Sequence, residues 1–325
     1  MLHRVGAVML MGAVLGACGG SGGNGNNPVV TIAKTGGGSG DAQTAAVATA
    51  LPTSLSVTVT EDGAAKVGAT VTWSAVAGSG SVAPTSAVTN GSGVATTVWT
   101  LGTVAGAQTA RATLSGAGGS PVSFTATGTA GAATAFTKNA GDGQTASPSA
   151  AFGTALSVKV ADQFGNGIAG ITVNWAVQSG SVTVASPTSI TNASGVATKA
   201  ATAGVGAGAS VVRATNATVV GNLDFNLTVA QLPLARTVTI ANNSFTSDAN
   251  ATVDPAVDTI GVGGTVSWNV AAGTHTVRGA PGFGDSGNLT SASATYVITF
   301  PAAGTFQYDC AIHGAAQMSG TVVVQ

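Results

Sequence analysis

The chain has 325 residues, of which 44% are hydrophobic and only 6% charged, with a formal net charge of −1. That length holds two or three domains. The apolar content argues against disorder despite the few charges, and the near-neutral balance gives no basis for binding nucleic acid.

In chain order, Met1-Leu-His-Arg4 precedes an apolar run from Val5 to Ala17. Those thirteen residues are too few for a bilayer-spanning helix, which needs about 20. A short basic start with a short apolar core predicts an export signal over residues 1–17. The run ends in Leu15-Gly-Ala-Cys18, which resembles a bacterial lipobox. The resemblance implies that Cys18 becomes the lipidated first residue of the mature protein. The alternative is an ordinary signal peptide with an incidental cysteine. Several acyl chains on one residue anchor a protein more firmly than a single chain. The Gly19 that follows, where inner-membrane lipoproteins carry Asp, implies an exported protein held in the outer membrane of a Gram-negative envelope. Residues 18–41 are mostly Gly, Ser and Asn and predict a flexible tether spanning roughly 25–30 Å. Within it, Val29-Val-Thr-Ile-Ala33 predicts a short strand.

Beyond the tether the residues alternate. Leu55-Ser-Val-Thr-Val-Thr60 and Thr70-Val-Thr-Trp73 place apolar side chains on one strand face. Asn90-Gly-Ser-Gly93 and Phe164-Gly-Asn-Gly167 are turn signals. No long amphipathic helix is evident, so the fold class is all-β, a series of sandwiches. A repeat with an offset of about 101–102 residues runs through the first two-thirds. Gly40-Asp-Ala-Gln-Thr44 recurs as Gly141-Asp-Gly-Gln-Thr145, and Thr70-Val-Thr-Trp73 as Thr172-Val-Asn-Trp175. Thr89-Asn-Gly-Ser-Gly-Val-Ala-Thr96 recurs as Thr191-Asn-Ala-Ser-Gly-Val-Ala-Thr198. The one-residue change of offset between Val59 and Trp73 predicts a longer hairpin around Asp162–Gly167. Trp73 and Trp175, at equivalent positions, are core candidates.

Each repeat, residues 42–130 and 131–231, is about the size of an immunoglobulin-like (Ig-like) sandwich. The Asp-x-x-Gly-Asn-x-x-x-Gly pattern from Asp162 and the Asn-x-x-Gly-Val-Ala runs resemble bacterial Ig-like domains of the invasin/intimin type. That resemblance implies a spacer, with an adhesive role as the alternative. Neither repeat contains His, Cys or Met. Gly204-Val-Gly-Ala-Gly208 lacks the helix and Lys-Ser/Thr of a phosphate loop. Asp248, Asp254 and Asp258 are too dispersed for a calcium loop.

The chemistry lies in residues 232–325. The sequence has three histidines, two cysteines and four methionines. With the leader and Cys18 set aside, His275, Cys310, His313 and Met318 remain. Three of them form Cys310-Ala-Ile-His313-Gly-Ala-Ala-Gln-Met318. Two imidazoles, a thiolate and a thioether are the ligand set of a blue-copper centre cycling between Cu(I) and Cu(II). Zinc is less suited, since it favours Cys, His and carboxylate over thioether. A metal-free domain is the remaining alternative. Strands are predicted at 236–240, 265–268, 294–300, 305–309 and 320–324.

Gly264-Thr-Val-Ser-Trp268, Gly273-Thr-His275-Thr-Val, Phe283-Gly-Asp-Ser-Gly287, Gly304-Thr-Phe-Gln-Tyr-Asp-Cys310 and Met318-Ser-Gly-Thr-Val-Val-Val324 resemble cupredoxins of the plastocyanin/pseudoazurin type. The resemblance implies a Greek-key sandwich with one type 1 copper site on His275, Cys310, His313 and Met318. It further implies an electron carrier rather than an enzyme, docking redox partners near an exposed edge of His313. The uncharged surface there is Ala311, Ile312, Gly314, Ala315 and Ala316, with Pro281 and Phe283 expected beside it. Thr276 departs from the Asn often found after the first histidine, leaving that contact open. The alternatives are a copper-buffering surface protein, or an adhesin with an accessory copper domain.

Overall fold

A computed structural model describes residues 27–279, 283–290 and 295–325. The leader, Cys18 and Pro281 lie outside these residues. The described residues are all-β, with no helix among them. The chain divides into two compact units, one through Gly128 and one from Thr129 to Gln325.

The first unit is a two-sheet sandwich. One sheet orders Val30–Lys34, Leu55–Glu61, Val94–Thr100 and Ser81–Ala83, and the other orders Gln43–Ala46, Val122–Thr129, Gly106–Thr113, Thr70–Ala75 and Ser86–Val88. Alternation sends every second side chain inward: Leu55, Val57 and Val59 from one sheet meet Val71, Trp73 and Phe124 from the other in a shared core. The strand expected at 29–33 forms at Val30–Lys34 and pairs antiparallel with Leu55–Glu61, burying Ile32. Strand pairing thus begins inside the stretch whose composition predicts a tether. A single paired strand with one buried isoleucine outweighs the glycines around it.

The second unit carries two cores. The first repeats the preceding architecture, with a five-stranded sheet ordering Thr145–Ala146, Asn222–Val229, Gly208–Thr215, Thr172–Ser179 and Thr188–Ile190. Trp73 on Phe124 and Trp175 on Phe225 make the same tilted pair, at 5.8 and 5.6 Å between ring centroids. The repeated polar motifs serve structure. Gln43 and Gln144 each donate to two carbonyls and accept one N–H, locking the turn before the next strand. Asn90 and Asn192 each accept two backbone N–H groups across a turn whose glycine, Gly93 or Gly195, has positive φ. The extra residue falls in the expected hairpin. Lys66 N–H reaches Val59 O in the first repeat, and Ile168 N–H reaches Val160 O in the second. The longer loop is organised by Asp162, which accepts from the N–H groups of Phe164, Asn166 and Gly131.

The C-terminal sandwich packs Ser244–Ser247, Ala235–Ala241, Thr265–Val270 and Thr295–Thr299 against Ala256–Ile260, Ser319–Val324, Gly304–Asp309 and Arg278–Gly279. Two of its pairings are parallel: Ala235–Ala241 with Thr265–Val270, and Ala256–Ile260 with Ser319–Val324. Its core is aromatic, with Trp268 packed on Phe283, Tyr296 and Tyr308. Tyr308 crosses over Gly320, where a Cβ would stand 2.2 Å from the ring.

One carboxyl is sealed in this core. Asp258 is fully buried, its Oδ1 accepts from Ser247 Oγ at 2.7 Å, and its Oδ2 has no partner within the protein. Burial pushes its pKa above the ordinary range, an effect that Ser247 and Arg236 only partly offset and Asp248 reinforces. The folded state therefore holds this proton more tightly than the unfolded one. Its stabilising contribution is full below the unfolded carboxylate value of about 4 and is lost as pH rises through the folded value. Thermal melts of the C-terminal sandwich are expected to lose this component of the pH slope in Asp258→Asn. Equal slopes in the two proteins would show that burial does not shift this carboxyl's pKa.

Candidate metal centre

The site is built at the end of two neighbouring strands. Gly304–Asp309 leads directly into Cys310, and Ser319–Val324 starts directly after Met318, with Asp309 opposite Ser319. Cys310 N–H closes this ladder on Met318 O at 3.2 Å. Between them, Gly314 N–H donates to Cys310 O at 2.7 Å and Met318 N–H to Gly314 O at 3.0 Å, with Gly314 at φ 78°. These turns bring His313 back beside the cysteine. His275 comes from a separate two-stranded element, Thr274–His275 paired with Leu289–Thr290.

The outcome is one cluster. Ligand atoms of His275, Cys310 and His313 all lie within 4.8 Å of one another. The two imidazole centroids are 5.0 Å apart. Cys310 and Met318 are fully buried, His275 nearly so, and His313 is half-exposed. No other group of three His, Cys, Asp or Glu among the described residues could hold a metal ion.

The hydrogen bonds orient this set for ligation. His275 Nε2 is 3.0 Å from Ala272 O, and donating to that carbonyl assigns the proton to Nε2. Nδ1 is then a bare lone pair, buried and without a partner within the protein. An unmatched buried acceptor is costly, whereas a metal-ligating histidine characteristically donates its other nitrogen to a carbonyl in this way. Gly273, at φ 85°, lets the chain pass close to the ring, where a Cβ would lie 2.7 Å from Nε2.

Cys310 Sγ is 3.4 Å from Thr276 N and 3.3 Å from His313 Nδ1. Burial pushes the thiol pKa up. The Thr276 N–H, the His313 side chain and the backbone N–H groups of His313 and Ile312 outweigh it and bring the pKa down to about 6. The sulfur is thus a thiolate at neutral pH, the form that binds metal. The nearest carboxylate in sequence, Asp309, is engaged by Arg278 at 3.1 and 3.2 Å. A soft donor set of imidazole and sulfur, with no free carboxylate in it, fits copper and not a hard cation.

The structure therefore brings together His275, Cys310 and His313, and sets Met318 across the strand pair from Cys310. Cys18 lies outside the described residues. Phe283 is corrected. Expected on the surface beside His313, it is instead 3% exposed and packed between Trp268, Tyr308 and Phe300. A large ring at the end of a β-sandwich gains more from the aromatic core than from solvent. The exposed residues around His313 are Ala311, Ile312, Ala315, Ala316 and Gln317. Thr276 fills the open contact: it is buried, and its Oγ1 accepts Ala311 N–H at 2.7 Å. Only its position after His275 marked it in the sequence.

Fold and site together define a β-sandwich protein with a buried His–Cys–His cluster at a sheet end. No protein-family model matches the chain, and no curated protein sequence matches it. Among solved structures the chain is similar to the D0-D1 domain of intimin at 21% identity, covering 62% of this chain and 95% of that one, with a TM-score of 0.24. It is similar to an oxidized point mutant of amicyanin at 29% identity, covering 28% of this chain and 82% of that one, with a TM-score of 0.23. It is also similar to the Escherichia coli adhesin FdeC at 16% identity, covering 92% of this chain and 96% of that one, with a TM-score of 0.41.

Proposed function

We propose that this chain is a lipid-anchored type 1 copper protein that carries single electrons between redox partners in the cell envelope. Its two Ig-like domains, the first running from the Val30–Lys34 strand to residue 130 and the second over residues 131–231, act as spacers for the copper domain, residues 232–325. The observation that carries the reading is the buried, unpartnered Nδ1 of His275 beside a thiolate and a second imidazole. Copper held by His275, Cys310, His313 and Met318 would supply a one-electron Cu(I)/Cu(II) couple.

The residues divide the labour. His275 is held by the Ala272 carbonyl, and Cys310 by the strand end and the Thr276 N–H. Both come from sheet-anchored segments, which resist relaxation when the charge changes. Met318, fully buried and joined to Cys310 through its backbone carbonyl, would complete the set. His313 is the half-exposed member, and the surrounding Ala311, Ile312, Ala315 and Ala316 are uncharged. Such a small apolar patch suits brief docking by redox partners, with little electrostatic steering. Lipid on Cys18 would tether the chain to the outer membrane, and an acyl label that fails to attach at Cys18 would remove that anchor from the proposal.

The test is an optical redox titration of the copper-loaded protein with a redox protein from the same envelope. An intense visible band is expected that bleaches on one-electron reduction and returns on exchange with the partner. Absence of the band would overturn the copper assignment. A band with no electron exchange would leave copper buffering, and surface binding by residues 42–230 alone would favour adhesion.

A further inference from the structure

The turn after the Ser244–Ser247 strand reads Asp248-Ala-Asn250-Ala-Thr252. Asn-x-Ser/Thr is the acceptor triplet for attaching sugar to an asparagine amide, and it acts from the surface of an exported protein. Bacterial enzymes that transfer a whole oligosaccharide read one residue more, an acid two positions before the asparagine. The chain has seven such triplets, but only Asn226 and Asn250 carry that acid, as Asp224 and Asp248. The fold separates these two. Asn226 sits inside the Asn222–Val229 strand, opposite Val211, and its N–H donates to Asp142 at 2.7 Å. Asp224 is taken by Arg213 through two bonds, at 2.6 and 2.7 Å. That acid is engaged and that backbone is locked in a sheet. Asn250 is instead on a turn where Asp248, Ala249, Asn250 and Ala251 are all exposed. Its Oδ1 accepts the N–H and the hydroxyl of Thr252, at 3.1 and 2.8 Å, so the two defining residues of the triplet stand side by side. Its Nδ2 donates to Val257 O at 2.7 Å. A carboxamide nitrogen carries two protons, so this bond survives replacement of the other one.

We infer that Asn250 is a glycosylation site, the acceptor for an oligosaccharide carried on a polyprenyl diphosphate. In the transfer, Nδ2 bonds to C1 of the first sugar as the bond from C1 to the diphosphate oxygen breaks. The lipid diphosphate leaves, and one Nδ2 proton goes to a base of the transferring enzyme. Asp248 offers the negative charge for a basic side chain of that enzyme, and Thr252 the hydroxyl of the triplet. The exposed turn lets these five residues enter a cleft without unpairing a strand. A glycan here displaces no core side chain. The inference is independent of the metal and shares with the reading above only the export of the chain.

The experiment incubates the purified, folded full-length chain with membranes holding a bacterial oligosaccharyltransferase of the acid-requiring kind and its polyprenyl-diphosphate-linked oligosaccharide. Intact mass and glycopeptide sequencing read the product. One glycan is expected, on Asn250, and none in Asn250→Gln. Asp248→Asn removes the charge and keeps an oxygen for the Thr239 hydroxyl, which donates to Asp248 at 2.9 Å, so the turn holds while the addition is expected to be lost. Thr252→Ser keeps the hydroxyl and is expected to keep the addition. A free peptide of residues 246–254 is the control for the motif without the fold. A peptide that is modified beside a folded chain that is not would overturn the site, because the turn then hides its acceptor. No addition to either overturns it as well. Addition at Asn226 as readily as at Asn250 overturns the selection by the turn, and full addition to Asp248→Asn overturns the role of the acid. Because the chain is supplied purified, none of these outcomes depends on export or on copper.

Discussion

Copper-loaded Cys310→Ser is expected to lose its visible band completely while keeping its fold. The substitution is nearly isosteric at a fully buried position that ends the Gly304–Asp309 strand. The backbone bonds that shape the loop, Cys310 N–H to Met318 O and Gly314 N–H to Cys310 O, do not involve the side chain. A serine hydroxyl can still accept from Thr276 N–H. What disappears is the soft, polarisable thiolate whose charge transfer to bound copper would give the colour. The two imidazoles remain, so weak copper binding can persist without the band. Absorption spectra with far-ultraviolet circular dichroism check the two halves separately. A persistent intense band in the serine variant would rule out Cys310 as the ligand responsible.

Trp268→Ala is expected to give the largest loss of stability from one substitution in the C-terminal sandwich. Trp268 is fully buried and meets Phe283, Tyr296 and Tyr308 at centroid distances of 5.4, 6.1 and 5.1 Å. Emptying that centre costs about 3–5 kcal/mol, a large share of the roughly 5–15 kcal/mol that holds a domain folded. The indole N–H has no partner within the protein, so its removal offsets part of the loss. Trp268→Phe, which fills much of the space and drops the N–H, should cost distinctly less. The first unit has its own core around Trp73 and Trp99, and its melting transition should not move. Calorimetry of the full chain resolves the two responses. A Trp268→Ala protein whose C-terminal transition is unshifted would show that this aromatic cluster does not hold the sandwich together.

The predicted strands at 55–60, 70–73, 236–240, 265–268, 305–309 and 320–324 all appear, because alternation reports directly which face of a strand is buried. The longer hairpin at Asp162 was legible as a change of repeat offset, since an insertion that leaves both flanking strands in register must go into the turn. The C-x2-H spacing was legible for a similar reason. A turn that returns the chain to the next strand places residues three apart on the same rim, and Cys310 and His313 meet there. Other features had no local signal. The parallel pairings of Ala235–Ala241 and Ala256–Ile260 join segments distant in sequence. Asp258 has no sequence signal of burial, which comes with Ser247 of the facing sheet donating to it in the core. Phe283 reads as a surface residue until Trp268 and Tyr308 are placed beside it.

By itself, then, the sequence determined the fold class and the repeat and singled out the few soft side chains, because each follows from side-chain period or from the chemistry of a few rare residues. Only the tertiary structure decided that His275 arrives beside Cys310 with its Nδ1 bare, and that Thr276 bridges the two segments. Those facts depend on how separate strands stack across a shared core. Hydrogen bonds at 2.7 or 3.0 Å require a placement that the packing of the whole sandwich fixes and no local pattern encodes.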